Sequence, residues 1–184
     1  NIDLVQVIHQ FIISIMVHNN PFVNIITAVA IGEENWFLND FISKILLHEN
    51  SMLFTVKLED YRDIVMADER AKRNNIFLVD DMNSFRKLTN VITSDVFYFH
   101  GNFLFVLFNG NVKDLHEIFN AMWNKKIYNV YALKEKIKSN EIDCLTFLPF
   151  ETPLKCGNTA PIVFNTFRNG TFVTELKRID RLKN

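Results

Sequence analysis

Polar positions Asp3, Gln6, Gln10 and Ser14 recur at helical spacing inside an otherwise apolar stretch, which predicts a helix over residues 2–18. The polar stripe is narrow, so this helix is expected to be buried on more than one side. Pro21 ends it, and the β-branched run 23–31 reads as a buried strand. Asn35 is placed to cap a helix over 36–48 that carries Phe37, Phe41 and Ile45 on one face. A second strand follows at 52–57. Residues 59–73 mix charges without a clear period and read as a solvated helix or loop.

The second half repeats the pattern more clearly. Residues 75–79 form an apolar strand run, and Asp81 caps a helix bearing Phe85, Leu88 and Ile92. A strand over 102–108 is entered through Gly101 and left at Gly110. Asn111 then caps a helix whose Val112, Leu115, Phe119 and Met122 share a face. A strand at 127–133, a polar turn at 134–140 and a strand at 142–148 follow. Asn169-Gly170 sits between the runs Ile162–Phe167 and Thr171–Val173 and predicts a hairpin.

Strands and helices alternate, and the strands are apolar runs rather than strict alternations. That combination predicts an α/β fold with a mostly parallel central sheet and helices on both faces. Right-handed crossovers make it doubly wound, of the periplasmic-binding-lobe or flavodoxin-like kind. The last two strands are joined by a short polar turn and form an antiparallel edge at the C-terminal end. Residues 1–150 are expected to make this layered domain, with 151–184 as a C-terminal extension and connector.

The chain has 184 residues, of which 48% are hydrophobic, enough for a core on both faces of a sheet. Glycine occurs only 5 times, against barrels and sandwiches built on many tight turns. A net charge of −1 and the lack of a basic, aromatic-interleaved patch argue against a nucleic-acid partner. No apolar run reaches membrane-spanning length. Because the chain starts at Asn1, it is expected to be a piece of a longer product.

Candidate chemistry was sought where doubly wound sheets bind ligands, at the carboxyl ends of the strands. Gly32-Glu33-Glu34-Asn35 has one glycine and two carboxylates, which suit a turn and helix cap rather than a phosphate cradle. Asp80 and Asp81 could hold Mg²⁺ only with a third acidic group, and capping by Asp81 is the favoured reading. The histidines His9, His18, His48, His100 and His116 form no metal-ligand pattern, and His116 falls on the polar face of its helix. No nucleophile elbow exists, and neither cysteine, Cys144 nor Cys156, has a nearby histidine in sequence. These observations predict no catalytic residue, no metal and no cofactor. The first helix supplies a different candidate: Ile8, Ile12 or Ile15 is expected to leave an apolar interface patch.

The segments NNIFLVDDMNSF (74–85), GNFLFVLFNG (101–110), HEIFNAMWNKKIYNVYAL (116–133), CLTFLPFETPLKCG (144–157) and APIVFNTFRNGTF (160–172) follow one another, then a basic tail. In that order they resemble the extracellular N-terminal region of a divergent insect ionotropic receptor, a chemosensory relative of ionotropic glutamate receptors. Ile127, Asn129, Val130 and Leu133 match the family's "I-x-NV-x-x-L" strand. Thr146 with Leu148-Pro149-Phe150 matches "T-x-FPF", with Leu in place of the first Phe. Cys156-Gly157 matches the "CG" pair, and Asn165, Phe167 and Gly170 match "N-x-F-x-x-G". Arg181-Leu182-Lys183-Asn184 resembles the entry into the first ligand-binding segment. The resemblance is close over 74–184 and general over 1–73.

That resemblance implies a non-catalytic ectodomain module of a ligand-gated cation-channel subunit, on the extracellular side of the plasma membrane. Its implied partners are other receptor subunits or a co-receptor and the receptor's own downstream ligand-binding domain, which would lie after Asn184. A free-standing small-molecule binding or sensor domain is the alternative. In an oxidising compartment Cys144 and Cys156 could pair, or Cys144 could stay buried while Cys156 bonds elsewhere. Asn169-Gly170-Thr171 is a glycan sequon that an extracellular location would expose to modification. The basic residues Lys177, Arg178, Arg181 and Lys183 are expected to lead away from the core.

Overall fold

The computed structural model describes residues 2–16, 22–27, 40, 42–45, 52–57, 74–79, 81–94, 97–108, 112–136, 138–150, 156–177 and 179. Helix α1 spans Ile2–Phe11 and continues as a π turn over Ile12–Met16. Strands β1 (Phe22–Thr27), β2 (Met52–Lys57) and β3 (Asn74–Val79) precede helix α2 (Met82–Val91). Then come β4 (Phe103–Leu107), helix α3 (Val112–Asn124), β5 (Val130–Lys136), β6 (Glu141–Thr146), β7 (Ile162–Arg168) and the two-residue β8 (Thr171–Phe172). Residues 40 and 42–45 are helical, within the helix expected at 36–48. The expected caps Asn35 and Asn111 and the segment 59–73 lie outside the described residues.

The strands form one sheet in the order β2-β1-β3-β4-β5-β6-β7-β8. Neighbours from β2 through β5 are parallel, and β5 through β8 are antiparallel. The architecture is therefore the α/β layer fold the pattern predicts. The pleat divides two cores. Val23, Ile25, Ile76, Leu78, Leu104, Val106, Tyr131, Leu133, Ile142 and Cys144 pack with α1. Ile26, Phe77, Val79, Phe103, Phe105, Leu107, Val130, Ala132 and Leu145 pack with α2 and α3. Both faces of β3 and β4 are covered, so every residue of either strand is buried. This is why their sequences read as continuous apolar runs.

Two expectations are corrected at the α1 face. Ile8, Ile12 and Ile15 leave no patch: they are 0%, 0% and 2% exposed. The core that buries them also holds Ile42, Ile45 and Leu176 from later parts of the chain. Ile13 of the π turn is exposed. The exit segment also does not leave the core directly after the hairpin. Leu176 is buried and Ile179 packs against the α1 core, while Lys177 points to solvent and pairs with Glu175. Arg178, Arg181 and Lys183 lie outside the described residues. Within the segment expected as the C-terminal extension, β7 hydrogen-bonds β6 in the same sheet.

The fifth strand begins three residues later than its apolar run suggested. Ile127 closes helix α3 instead: its N–H bonds Met122 O at 3.0 Å, and the Lys126 N–H bonds Trp123 O at 2.8 Å. These are the two hydrogen bonds of a Schellman cap, with Ile127 and Met122 making its hydrophobic contact. Lys126 holds the left-handed position at φ 63°, where glycine is usual. Replacing it relieves that cost: Lys126→Gly is expected to raise stability by about 0.5–1 kcal/mol, read as a melting temperature roughly 2–4 °C higher. An unchanged or lower melting temperature would count against this account of the cap.

Candidate functional site

The strand order reverses between β1 and β3, which puts the crevice of this fold beyond the carboxyl ends Thr27 and Val79. On the described side of that crevice, Asp81 is occupied as the N-cap of α2. Its Oδ1 accepts the Ser84 N–H at 2.7 Å. Hydrogen bonds from Ser84, backbone first, lower its pKa below the ordinary carboxylate value. The capping reading therefore stands over the Mg²⁺ one for Asp81. Asp80 and Gly32–Asn35 lie outside the described residues. Among the described residues no group of three or more His, Cys, Asp and Glu side chains is placed to hold a metal ion. His116 and His100 are exposed and His9 is half-buried; His18 and His48 are not described.

The opposite, amino-terminal edge of the parallel strands carries an asparagine network, of which only Asn129 stood out in the sequence. Asn74 Nδ2 donates to Met16 O at 3.0 Å, closing the end of α1. Asn74 Oδ1 accepts from both the Asn102 N–H (3.1 Å) and Asn102 Nδ2 (2.8 Å). On the other face of the sheet, Asn24 Nδ2 donates to Asn75 Oδ1 at 3.1 Å. Asn129 Nδ2 donates to His100 O at 3.2 Å. The visible signal was an asparagine at or just before the start of β3, β4 and β5.

The family-matching motifs converge at the antiparallel end and each has a structural task. Thr146 Oγ1 donates to Val130 O at 2.7 Å, joining two of the motif strands. Pro149 O accepts the Gly157 N–H at 2.9 Å, which joins the "PF" and "CG" elements. Gly157 has φ 90° and lies against Trp123: a Cβ there would meet Trp123 Nε1 at 3.4 Å. Trp123, Tyr128 and Phe150 surround each other with ring centroids 5.3–5.6 Å apart. The "CG" pair thus seats a turn against an aromatic cluster.

Asn165 explains the last motif. Its Nδ2 donates to Thr174 O at 2.9 Å, and its Oδ1 accepts the Thr174 N–H at 3.3 Å and the Thr166 N–H at 2.9 Å. A buried carboxamide here acts as a stretch of strand backbone and holds the chain after β8. Phe167 is buried edge-on to Phe172, and Gly170 at φ 81° completes the hairpin. Asn165→Ala leaves Thr174 to water at an exposed position, so the expected loss is only about 1–2 kcal/mol. Hydrogen exchange at Val173–Leu176 should accelerate while β3 and β4 amides stay protected. Equal acceleration throughout, or none, would contradict a local latch.

Near that end, Lys136 Nζ lies 3.2 Å from Glu141 Oε2 and 3.0 Å from Asp143 Oδ1. Asp143, first, and Glu141 raise the lysine pKa through hydrogen bonds. Thr166 Oγ1 donates to Asp143 Oδ1 at 2.9 Å, so this charge cluster is internally satisfied across β5, β6 and β7.

The cysteines do not pair. Cys144 is buried and Cys156 exposed, and both are free thiols. Cys144 belongs to the α1 core, whereas Cys156 adjoins Gly157, which packs on Trp123 at the α2–α3 face. The sheet stands between the two packing environments, which is why a short sequence separation does not bring the sulfurs together. Desolvation pushes the Cys144 thiol pKa far up, so it stays protonated. A thiol reagent is expected to modify one cysteine in the native protein and two after unfolding. Modification of both under native conditions would overturn this assignment.

The mixed sheet, packed on both faces and braced by motif residues at its antiparallel end, defines an α/β layer fold. The chain belongs to the ionotropic receptor ligand-binding-domain family: the family model described as "Putative ionotropic receptor, ligand binding domain" matches residues 3–184. No curated protein and no solved structure matches the chain. The match extends the likeness over residues 3–73, where the motifs gave only general character. Its description names a ligand-binding domain, where the motif resemblance implied the region before one. Among the described residues, no helix is long and apolar enough to cross a membrane.

Proposed function

We propose that this chain is the extracellular N-terminal domain of a ligand-gated cation-channel chemoreceptor subunit, where it supports subunit assembly and coupling and performs no catalysis. The family match over residues 3–184 carries this reading. Two features support it. The motif residues Thr146, Gly157, Asn165 and Phe167 brace the fold, and the exit segment is held to the core by Asn165 and Leu176. Its partners are other receptor subunits or a co-receptor and the receptor's own ligand-binding core. In the full-length receptor, deleting residues 1–184 should abolish co-precipitation of the subunits and the ligand-evoked current. Normal assembly and gating without them would reject the proposal.

The family description favours a second reading, in which this domain itself binds a small molecule. The crevice beyond Thr27 and Val79 is where the fold would take it. A saturating ligand stabilises the folded state by mass action, so thermal shifts of the domain across a panel of small organic molecules test this directly. A dose-dependent rise in melting temperature supports ligand binding; a panel that leaves it unmoved favours the assembly reading.

A further inference from the structure

The β7–β8 hairpin carries Asn-Gly-Thr at its tip. Arg168 pairs with Thr171, leaving Asn169 and Gly170 as a two-residue loop. Their φ values, 52° and 81°, are both positive, as a type I′ turn requires. Asn169 and Thr171 are both exposed. A Cβ built on Gly170 meets nothing within 4 Å, so the tip faces open space. Gln6 Nε2 of α1 donates to Gly170 O at 3.3 Å and steadies the loop from behind. The acceptor amide, the hydroxyl two residues on and the space for a large substituent are therefore all present at one tip.

We propose that Asn169 is an N-glycosylation site and that its glycan covers the β8 end of the sheet. The co-reactant is a lipid-pyrophosphate-linked oligosaccharide. Asn169 Nδ2 forms a C–N bond to the anomeric carbon of the first sugar as the C–O bond to the pyrophosphate breaks. The lipid pyrophosphate leaves, and the amide gives up one proton. Transfer by the secretory-pathway enzyme requires the Asn-x-Ser/Thr sequence, and a folded protein tolerates the product only on its surface. β8 is short and ends the strand order, so among the described residues its outer edge has no strand partner. A branched, hydrophilic substituent beside it blocks strand addition there.

This inference rests on the extracellular reading, and two leaders separate the two. The full-length coding sequence is expressed in insect cells with its native leader, and the same chain is expressed with a strong secretory leader. Protein from cells and medium is pooled and digested with an amidase specific for Asn-linked glycans. The expected result is a mobility shift removed by the amidase, with Asn169 converted to Asp in the peptide mass spectrum. Thr171→Ala should abolish the shift and Thr171→Ser should retain it, since neither disturbs the two turn residues. Unmodified Asn169 under the strong leader overturns the site. Modification under the strong leader alone upholds the site and overturns the extracellular reading.

Discussion

Phe105→Ala is expected to destabilise the domain by about 3–5 kcal/mol, the range for deleting a fully buried phenyl ring. Phe105 lies on β4 and is 0% exposed. Its ring stacks on Phe77 at 4.9 Å and meets Phe85 of α2 edge-on at 5.8 Å. The next strand offers no replacement volume, because its register partner on β5 is Ala132. A lost ring therefore leaves a cavity bordered by strand backbone and an already small side chain. Domains of this size are stable by only about 5–15 kcal/mol, so the loss takes a large share of the margin. The measurement is the urea midpoint, which should fall with an unchanged slope. A loss below about 1 kcal/mol would mean that α2 collapses into the space and that the aromatic pile is not a fixed element. Phe105→Leu, which keeps most of the volume, should cost under about 1.5 kcal/mol.

The same pile shows why the strand–helix order was legible in the sequence. β3 and β4 are buried on both faces and announce themselves as apolar runs, and α2 is bounded by a residue, Asp81, whose side chain does what its type suggests. The fifth strand was displaced because periodicity cannot tell a residue that opens a strand from one that closes a helix. Ile127 is apolar in either role, and the deciding signal was Lys126 in a left-handed conformation that its residue type does not advertise. The covering of α1 was illegible for another reason. Its core also takes in Leu176, more than 150 positions away, and Ile42 and Ile45. A long-range contact of that kind leaves no mark on the helix itself, so Ile8, Ile12 and Ile15 looked unpartnered.

The candidate site was legible as motifs and not as geometry. Asn165, Phe167 and Gly170 could be picked out as a pattern, yet only the structure assigns the asparagine to Thr174. The cysteines illustrate the converse. An oxidising compartment left a bridge and two separate thiols both open, and pleat alternation sends Cys144 into the α1 core while Cys156 adjoins Gly157 on Trp123. One residue of register decides which face a strand cysteine joins, and sequence spacing does not encode it.

Asn74→Ala is expected to cost about 2–4 kcal/mol, an effect out of proportion to the small volume removed. Asn74 is 2% exposed and joins three elements at the amino-terminal edge of the sheet. Truncation leaves Met16 O without its donor at the end of the π turn, and leaves the Asn102 N–H and Nδ2 without their acceptor. Water cannot readily replace these partners, since Met16 and Asn102 are themselves buried. A buried polar group stripped of its partner bears its whole desolvation cost, whereas removing a methylene costs much less. Asn74→Asp separates the hydrogen-bond account from a packing one, because shape is kept and only the donor is lost. The new carboxylate would face Met16 O with no proton to share, so burial and repulsion raise its folded-state pKa above the unfolded value of about 3.9. The folded state then binds more protons than the unfolded one, and stability falls as pH rises from about 4 through that raised pKa. The deficit relative to the parent protein should therefore be smaller near pH 4 than at pH 7, as measured by urea unfolding at each pH. A deficit that is equal at both pH values would show that the site is governed by packing and would remove the asparagine network from the account of how α1 is fastened to the sheet.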